Sequence, residues 1–198
     1  MSAESHGTLR SHFEATHLHA TDPWSVETSW YEIRKRAVLL AALPRERYGA
    51  VLEIGCSTGV LTEELAGRSD RILAVDLAES AVQTARERLA GLAHVRVAQG
   101  DVSDGLPAGQ WDLVVVSEVA YYLDEAVWRD LIGAIASQFT EGGTVVACHW
   151  RHPASDFRQS GDAVHHALTQ HPEFTTVVHH EEPDFVLDVV TLTRKATT

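Results

Sequence analysis

Apolar residues in this chain follow two spacings, one typical of buried strands and one typical of amphipathic helices. The short apolar runs predict five strands, at 50–54, 71–75, 94–98, 112–117 and 143–148. The amphipathic stretches predict four helices, at 27–43, 59–67, 79–90 and 125–138. In the first of them the apolar face is formed by Trp30, Ile33, Ala37, Leu40 and Ala41. Strands that alternate with helices imply right-handed crossovers and a parallel sheet that is covered on both faces.

The C-terminal part departs from this alternation. Two strand-like runs, 174–180 and 185–193, are separated by the turn-forming residues 181–184 and predict an antiparallel hairpin. A polar segment at 149–172 comes before them, with a short helix predicted to start at Gly161. Gly142 and Gly143 are interpreted as the turn that leads into the fifth strand. The expected fold is α/β, with a mostly parallel seven-stranded sheet, helices on both faces and a C-terminal antiparallel hairpin.

The N-terminal residues 1–25 lack a sustained period, and we expect a mobile segment there, followed by a single domain over 26–198. Large aromatic residues in this polar start, Trp24 above all, need a packing partner. Two roles for this segment are possible: a lid over a bound ligand, or packing against the edge of the sheet. No apolar run reaches the ~20 residues of a membrane span, and no apolar signal sequence is present, which predicts a cytoplasmic protein.

The end of the first strand carries the most informative motif, Glu53-x-Gly55-x-x-x-Gly59, directly before the helix that starts at Val60. Glycines in such a turn let the backbone approach a ligand closely. The second strand ends in Asp76, 17 residues past Gly59, where a carboxylate accepts both hydroxyls of a ribose. This pattern predicts a nucleoside-binding crevice, the alternative for Asp76 being a helix N-cap.

The loop does not match the G-x-G-x-x-G fingerprint of dinucleotide-binding proteins, because Cys56 and Ser57 follow Gly55 directly and the second glycine is missing. An NAD-dependent oxidoreductase is therefore disfavoured.

The amino-acid composition limits the kinds of molecule that the protein is expected to bind. The formal net charge of −12 argues against nucleic acid, which is bound through Lys and Arg, and suits a neutral or cationic small substrate. Two cysteines, Cys56 and Cys148, cannot build a disulfide framework, and small packing residues are the favoured interpretation. Twelve histidines show no spacing typical of a metal site, so no metal is assigned.

Polar residues also follow the later strands, where an open parallel sheet binds its ligands. Ser117 and Glu118 end the fourth strand, and Tyr122 follows them as a wall of the substrate pocket or as a core aromatic residue. His149 follows the fifth strand and is the candidate proton acceptor, with a purely structural histidine as an equal alternative. His165 and His166, on the polar helix predicted from Gly161, are interpreted as part of a solvated face, the alternative being that they reach over the pocket.

These motifs together resemble the class I S-adenosylmethionine-dependent methyltransferases, whose Rossmann-like fold ends in an antiparallel hairpin. Asp-Pro-Trp at 22–24, Tyr31-Glu32, Leu-Glu-Ile-Gly-Cys at 52–56 and the Ser117-Glu118-Val119 element with Tyr-Tyr-Leu at 121–123 are similar to the nodulation protein S (NodS)-like N-methyltransferases. The resemblance covers about residues 20–150. It implies methylation of the free amine of an amino sugar or oligosaccharide by a monomer or homodimer, without nucleic acid or membrane partners.

The resemblance also implies residue roles. S-adenosylmethionine, with S-adenosylhomocysteine as product, would be bound by a set of residues from the N-terminal segment and the strand ends: Trp24, Tyr31, Glu53, Gly55, Cys56, Ser57, Gly59, Asp76, Leu77, Asp101, Val102 and Ser117. The chemistry of amine methylation, rather than the resemblance, assigns the catalytic candidates: Glu118 and His149 for the proton of the acceptor, and Tyr122 for its orientation. An O-methyltransferase of a small metabolite and a non-catalytic S-adenosylmethionine-binding protein are the alternatives.

Overall fold

Seven strands and six helices form the described part of the protein. The computed structural model describes residues 3–193, with side chains from residue 9 onward. The helices are α1 (Ala3–His19), α2 (Trp30–Ala42), α3 (Val60–Ala66), α4 (Glu79–Arg88), α5 (Glu125–Gln138) and α6 (Gly161–Thr169). The strands are β1 (Tyr48–Ile54), β2 (Ser69–Asp76), β3 (Val95–Gln99), β4 (Trp111–Ser117), β5 (Phe139–Trp150), β6 (Phe174–Glu181) and β7 (Phe185–Leu192).

The strands follow the order β3-β2-β1-β4-β5-β7-β6. β1 pairs in parallel with β2, β2 with β3, and β4 with β5, whereas β7 runs antiparallel to both β5 and β6. A shift of register interrupts β6 between Thr176 and Val178. The predicted fold class, with its C-terminal antiparallel hairpin, is confirmed.

The chain divides into two compact units, the first ending at Asp101 and the second beginning at Val102. In the first unit the aliphatic residues of β1 and β2 are buried together with the inner faces of α3 and α4. In the second unit β4, β5 and β7 are almost wholly buried, and α5 contributes Trp128 and Ile135 to the core. The division into a lid at 1–25 and a domain at 26–198 includes residues outside the described range and remains a prediction.

The N-terminal segment contains a helix that its sequence pattern does not predict. α1 lacks an apolar face of its own, and its contact with α4 includes a hydrogen bond at 3.3 Å from the backbone N–H of Ser80 to Glu14. Tertiary contact therefore stabilises a helix that intrinsic periodicity does not reveal.

The predicted helix at 27–43 exists as α2, but the buried face is not the predicted one. Trp30, expected in the core, is 74% exposed, whereas Lys35 and Arg36 are buried. Arg36 donates to the Val26 carbonyl and to Glu64, so hydrogen bonds act together with the burial of Leu39 to orient this helix.

β5 begins earlier than predicted, because Gly142 and Gly143 lie inside the strand rather than in a turn before it. Phe139 pairs with Trp111 and Thr144 pairs with Leu113, so the β5 chain carries extra residues between two pairing positions. Gly142 adopts a φ of 71°, a conformation that suits glycine and accommodates this bulge.

Candidate active site

The glycine loop after β1 is built around two left-handed backbone positions at its glycines. Gly55 has a φ of 75° and Gly59 a φ of 80°, and Gly59 caps the N-terminus of α3. A Cβ atom on Gly59 would lie 3.0 Å from Leu89 Cδ1 and 3.1 Å from Ala85 Cβ. Glycine is therefore required at this position both for its backbone conformation and for the close packing of the loop against α4.

Asp76, the last residue of β2, connects this loop to the start of α4. Its Oδ2 atom accepts a hydrogen bond from the Ser57 N–H at 2.8 Å, and its Oδ1 atom accepts one from the Ala78 N–H at 3.0 Å. Burial raises the pKa of the Asp76 carboxyl, although these hydrogen bonds and the charge of His17 lower it in part. The N-cap of α4 is Ala78 and not Asp76, so Asp76 contacts the start of the helix without capping it. The binding of a ribose by Asp76 stays a prediction.

The loop also holds buried polar atoms that could serve a ligand. Among the described residues, no hydrogen-bond partner is found for Glu53 Oε2, Ser57 Oγ or Thr58 Oγ1. Burial raises the pKa of Glu53 to about 8, the nearby Thr62 hydroxyl lowers it in part, and the neighbouring Asp76 charge adds to the increase. Burial also raises the pKa of Cys56 well above its usual value, so this thiol stays protonated and behaves as a packing residue. Buried polar atoms without partners are costly, and a polar ligand at this loop would satisfy them.

Arg88 of α4 fixes the glycine loop from outside, and no sequence motif indicates this role. It donates to the Thr58 carbonyl at 2.9 Å and pairs with Glu63 and with Glu27 of the segment before α2. One side chain therefore connects the loop with the N-terminal segment. The distance between Arg88 and the glycine loop depends on how α4 packs, which sequence patterns do not specify.

The Asp-Pro-Trp element forms a turn that brings Trp24 against α1. Asp22 accepts hydrogen bonds from the backbone N–H groups of Val26 and Glu27, at 2.8 and 3.0 Å. The Trp24 ring contacts Phe13 and His17, with ring centroids 6.3 and 5.3 Å away. Burial lowers the pKa of His17, and the charge of Asp76 acts in the opposite direction. Trp24 therefore packs on a helix whose His17 lies in the electrostatic field of Asp76.

The remaining predicted cofactor residues lie on α2 and at strand ends. Tyr31 on α2 faces the Lys35 ammonium at 4.9 Å, and the Leu77 carbonyl accepts a hydrogen bond from Gln99. Asp101 and Val102 follow β3, and Ser117 ends β4, all partly exposed. The roles of these residues in binding stay predictions.

The second unit brings Glu118 and an aromatic cluster together. Glu118 has a φ of 58°, which is uncommon for a residue with a side chain and typical of functional positions. Its Oε2 atom accepts hydrogen bonds from the Tyr121 O–H at 2.6 Å and the Trp150 N–H at 2.9 Å. Phe157 stacks on Tyr121 at 3.8 Å between centroids and meets Tyr122 edge-on at 5.2 Å.

Charge and burial keep Tyr122 protonated. Burial raises the pKa of its phenol, and the nearby carboxylates of Asp156 and Glu118 raise it further. Tyr122 is consequently a hydrogen-bond donor over the whole physiological range. Phe157 and Asp156 belong to the polar segment after β5, for which the sequence predicted no role.

His149 is completely buried, and both of its ring nitrogens are engaged. Nε2 accepts a hydrogen bond from the Ala120 N–H at 3.1 Å, and Nδ1 lies 3.0 Å from His165 Nε2. His165 is also buried, which contradicts its interpretation as part of a solvated helix face, whereas its neighbour His166 is exposed. The prediction that His149 accepts a proton from substrate has no support in these contacts.

Neither a membrane span nor a metal cluster is found in the described chain. No helix between residues 3 and 193 has the length and apolar character needed to cross a bilayer. The same residues contain no group of three or more His, Cys, Asp or Glu side chains arranged to hold a metal ion.

Comparison with known proteins places this chain in a family. The profile of the family Nodulation protein S (NodS) matches residues 3–152. Nodulation protein S of Rhizobium tropici is 34% identical over 131 residues, which are 65% of this chain and 55% of that protein, so the chain spans about half the length of this relative.

Two crystal structures are similar over most of the chain. A protein of Pseudomonas syringae is 42% identical, with a TM-score of 0.74 and coverage of 82% of this chain and 99% of the other. The N-methyltransferase NodS of Bradyrhizobium japonicum WM9, in complex with S-adenosyl-L-homocysteine, is 26% identical, with a TM-score of 0.82 and coverage of 93% and 99%. This protein therefore belongs to the nodulation protein S family and has the Rossmann-like fold of its methyltransferase members.

Proposed function

We propose that this protein transfers the methyl group of S-adenosylmethionine to the nitrogen of a small amine, most specifically the free amine of an amino sugar. The observation that carries the proposal is the loop between Glu53 and Gly59 together with Asp76. The NodS of B. japonicum, whose structure contains S-adenosylhomocysteine, supports the choice of cofactor.

The residues of the first unit fit this cofactor. A carboxylate offers about four lone-pair sites, so Asp76 can receive ribose hydroxyls beside its two backbone N–H donors. The buried oxygens of Glu53, Ser57 and Thr58 that have no partner among the described residues are suited to the polar methionine end. Bound there, the cofactor supplies an electrophilic methyl group on a sulfonium.

The residues of the second unit fit an amine. Aromatic faces and carboxylates both attract a protonated amine, and Tyr121, Tyr122 and Phe157 lie with Glu118 and Asp156 in one cluster. An amine reacts only as the neutral base, so a proton must leave the nitrogen before or during attack. Glu118 is the proposed acceptor of that proton, and its contact with the Tyr121 hydroxyl holds the carboxylate in place.

Tyr122 is proposed to orient the acceptor as a hydrogen-bond donor, because its raised pKa keeps the phenol protonated. Orientation is a large part of catalysis in an in-line displacement, where aligned reactants avoid an entropic cost of several kcal/mol. Trp24, Tyr31 and the residues before them are proposed to cover the cofactor and exclude water.

The test begins with binding. Calorimetric titration with S-adenosylmethionine, S-adenosylhomocysteine and NAD should give micromolar affinity for the first two and none for NAD. Affinity for NAD, or for none of the three, would contradict the cofactor assignment.

Turnover is then measured with matched acceptors. A chitooligosaccharide with one free terminal amine is compared with the same oligosaccharide in its fully N-acetylated form, and fragmentation mass spectrometry locates the added methyl group. We expect methylation of the free amine alone. A methyl group on oxygen would establish the alternative O-methyltransferase, and cofactor binding without turnover on amine or hydroxyl acceptors would indicate a binding protein.

A further inference from the structure

A continuous row of polar side chains crosses the core of the second unit. It runs from His149 on β5 through His165 on α6 to Asp188 on β7 and His179 on β6, and we call these four residues the imidazole–carboxylate chain. His149, His165 and Asp188 are 0%, 3% and 1% exposed. The distances between successive partners are 3.0, 2.7 and 2.8 Å.

The hydrogen bonds of the imidazole–carboxylate chain have only one consistent direction when His149 and His165 are neutral. The Ala120 N–H can only donate, so His149 Nε2 must be the acceptor and its proton must reside on Nδ1. His149 Nδ1–H then donates to His165 Nε2, which leaves the His165 proton on Nδ1, facing Asp188 Oδ2. The Asp188 carboxylate, which accepts the hydrogen bond from His165, thus selects the tautomers of both histidine rings.

Asp188 is suited to hold this arrangement. Burial raises its pKa, but the hydrogen bonds from His165 and His179 outweigh that effect and leave the pKa below its ordinary value. The side chain therefore stays ionised as an acceptor. His179, about half exposed, occupies its second oxygen.

At the His149 end, the imidazole–carboxylate chain contacts the backbone segment that carries Tyr121 and Tyr122, two of the residues proposed to bind the amine. Residues Ala120–Tyr122 form a single turn of 3₁₀ helix, too short to satisfy its own first N–H groups. His149 satisfies the Ala120 N–H, and the Gln159 side chain donates to the carbonyls of Ala120 and Leu123. The turn is held from two directions, and Tyr121 in turn holds Glu118.

We propose that His165 and Asp188 are positioning residues: acting through His149, they fix the Ala120–Tyr122 turn and with it the orientation of Tyr121, Tyr122 and Glu118. The inference rests on the proposed function for its kinetic consequence, since those three side chains are the ones assigned to the acceptor. Neither His165 nor Asp188 is expected to contact substrate or cofactor.

The kinetic experiment compares variants that break the chain with variants that keep it. His165→Leu and Asp188→Leu remove the hydrogen bonds, whereas Asp188→Asn retains an oxygen that can accept from His165 Nδ1–H. His166→Leu is the matched control, because this neighbouring histidine is exposed on the same helix. The readouts are kcat and KM for the amine, the affinity for S-adenosylmethionine, and Tm.

We expect kcat to fall by about tenfold or more in both leucine variants, as for other small displacements of catalytic groups. Affinity for S-adenosylmethionine should change less than twofold, and Asp188→Asn and His166→Leu should keep most of the wild-type kcat. A leucine variant that lowers Tm but keeps its kcat below that temperature would overturn the inference, because the chain would then only stabilise the fold.

A second measurement does not depend on turnover. Nitrogen-15 NMR of the wild-type protein should show both His149 and His165 protonated on Nδ1 alone. Hydrogen exchange should show a protected Ala120 amide that loses protection in His165→Leu or Asp188→Leu and keeps it in Asp188→Asn. If neither leucine variant folds, the wild-type tautomers alone decide the inference. Other tautomers, or an Ala120 amide whose protection is the same in all variants, would refute the positioning role. If wild-type protein methylates no amine, the proposed function fails while these spectra still decide the inference.

Discussion

Asp76 accepts hydrogen bonds from residues on both sides of it in the sequence, and this double contact holds the glycine loop and the start of α4 to one carboxylate. Its position could be predicted because an acidic residue directly after an apolar strand lies at the carboxyl edge of a parallel sheet. The contacts of His149 could not be predicted in this way. Its partner His165 lies on a different element, and nothing in local sequence indicates that the two rings meet.

Replacing Asp76 with Asn is expected to weaken binding of S-adenosylmethionine by about tenfold to a hundredfold, since hydrogen bonds to charged groups contribute about 1.5–3 kcal/mol. The amide NH₂ would also oppose one of the two backbone donors. Calorimetric titration measures the effect. Asp70→Asn, which changes an exposed carboxylate on the same strand, should leave the affinity unchanged.

Glu53 predicts a pH dependence of stability. Its pKa rises from 4.5 to about 8 on folding, so the folded state binds more protons than the unfolded state between these values. Stability contributed by the protonated form is present below pH 4.5 and is lost as pH rises through 8. Glu53→Gln, which resembles the protonated acid, should therefore raise Tm at pH 8 by several degrees, since 1 kcal/mol corresponds to about 2–4 °C for a chain of this size.

Thermal unfolding of the ligand-free protein across this pH range tests the prediction, and Glu46→Gln, at an exposed site, is the control. Equal pH slopes for Glu53→Gln and wild type would show that Glu53 is already ionised in the folded state. The same variant should bind S-adenosylmethionine more weakly if the buried oxygen of Glu53 serves the ligand.

At the scale of elements, strong patterns predicted the structure closely. α5 begins and ends at the expected residues, and α3 differs from the predicted 59–67 by one residue at each end, because an apolar period and clear boundary residues agree in both. α2 was predicted with the wrong buried face, since Lys35 and Arg36 are buried beside Leu39 and are stabilised by hydrogen bonds. α1 was missed because its stability comes from contact with α4 and not from its own pattern.

The junction of the glycine loop with α3 and α4 leads to a prediction for Gly59. Alanine there would face Leu89 and Ala85 and would occupy a left-handed conformation, at an expected cost of about 1–3 kcal/mol in the free energy of unfolding. Urea denaturation measures it. Gly91→Ala is the matched control, because a Cβ at Gly91 meets nothing within 4 Å, and it should be neutral or slightly stabilising.

For the whole molecule, charge is the property that sequence alone determines, and it limits the possible acceptors. With 28 acidic and 16 basic side chains, the protein repels polyanions. This agrees with a small amine as substrate, whereas the two-unit division and the polar core of the second unit required the structure.

We therefore expect no measurable binding to a single-stranded RNA oligonucleotide even at low salt. Fluorescence anisotropy with a labelled oligonucleotide measures this, with polylysine as the positive control. Binding that weakens steeply as salt is added would contradict the prediction and would make nucleic acid a candidate acceptor.

The two outer strands of the sheet, β3 and β6, bear on how separate molecules behave in concentrated solution. Exposed strand edges offer N–H and C=O groups to which another chain can add, which leads to aggregation. β3 is only five residues long, and the ladder of β6 is interrupted between Thr176 and Val178. Both edges are therefore poor templates for a further strand, and any pairing of two copies is expected to use helical surfaces rather than a sheet that continues from one molecule into the next.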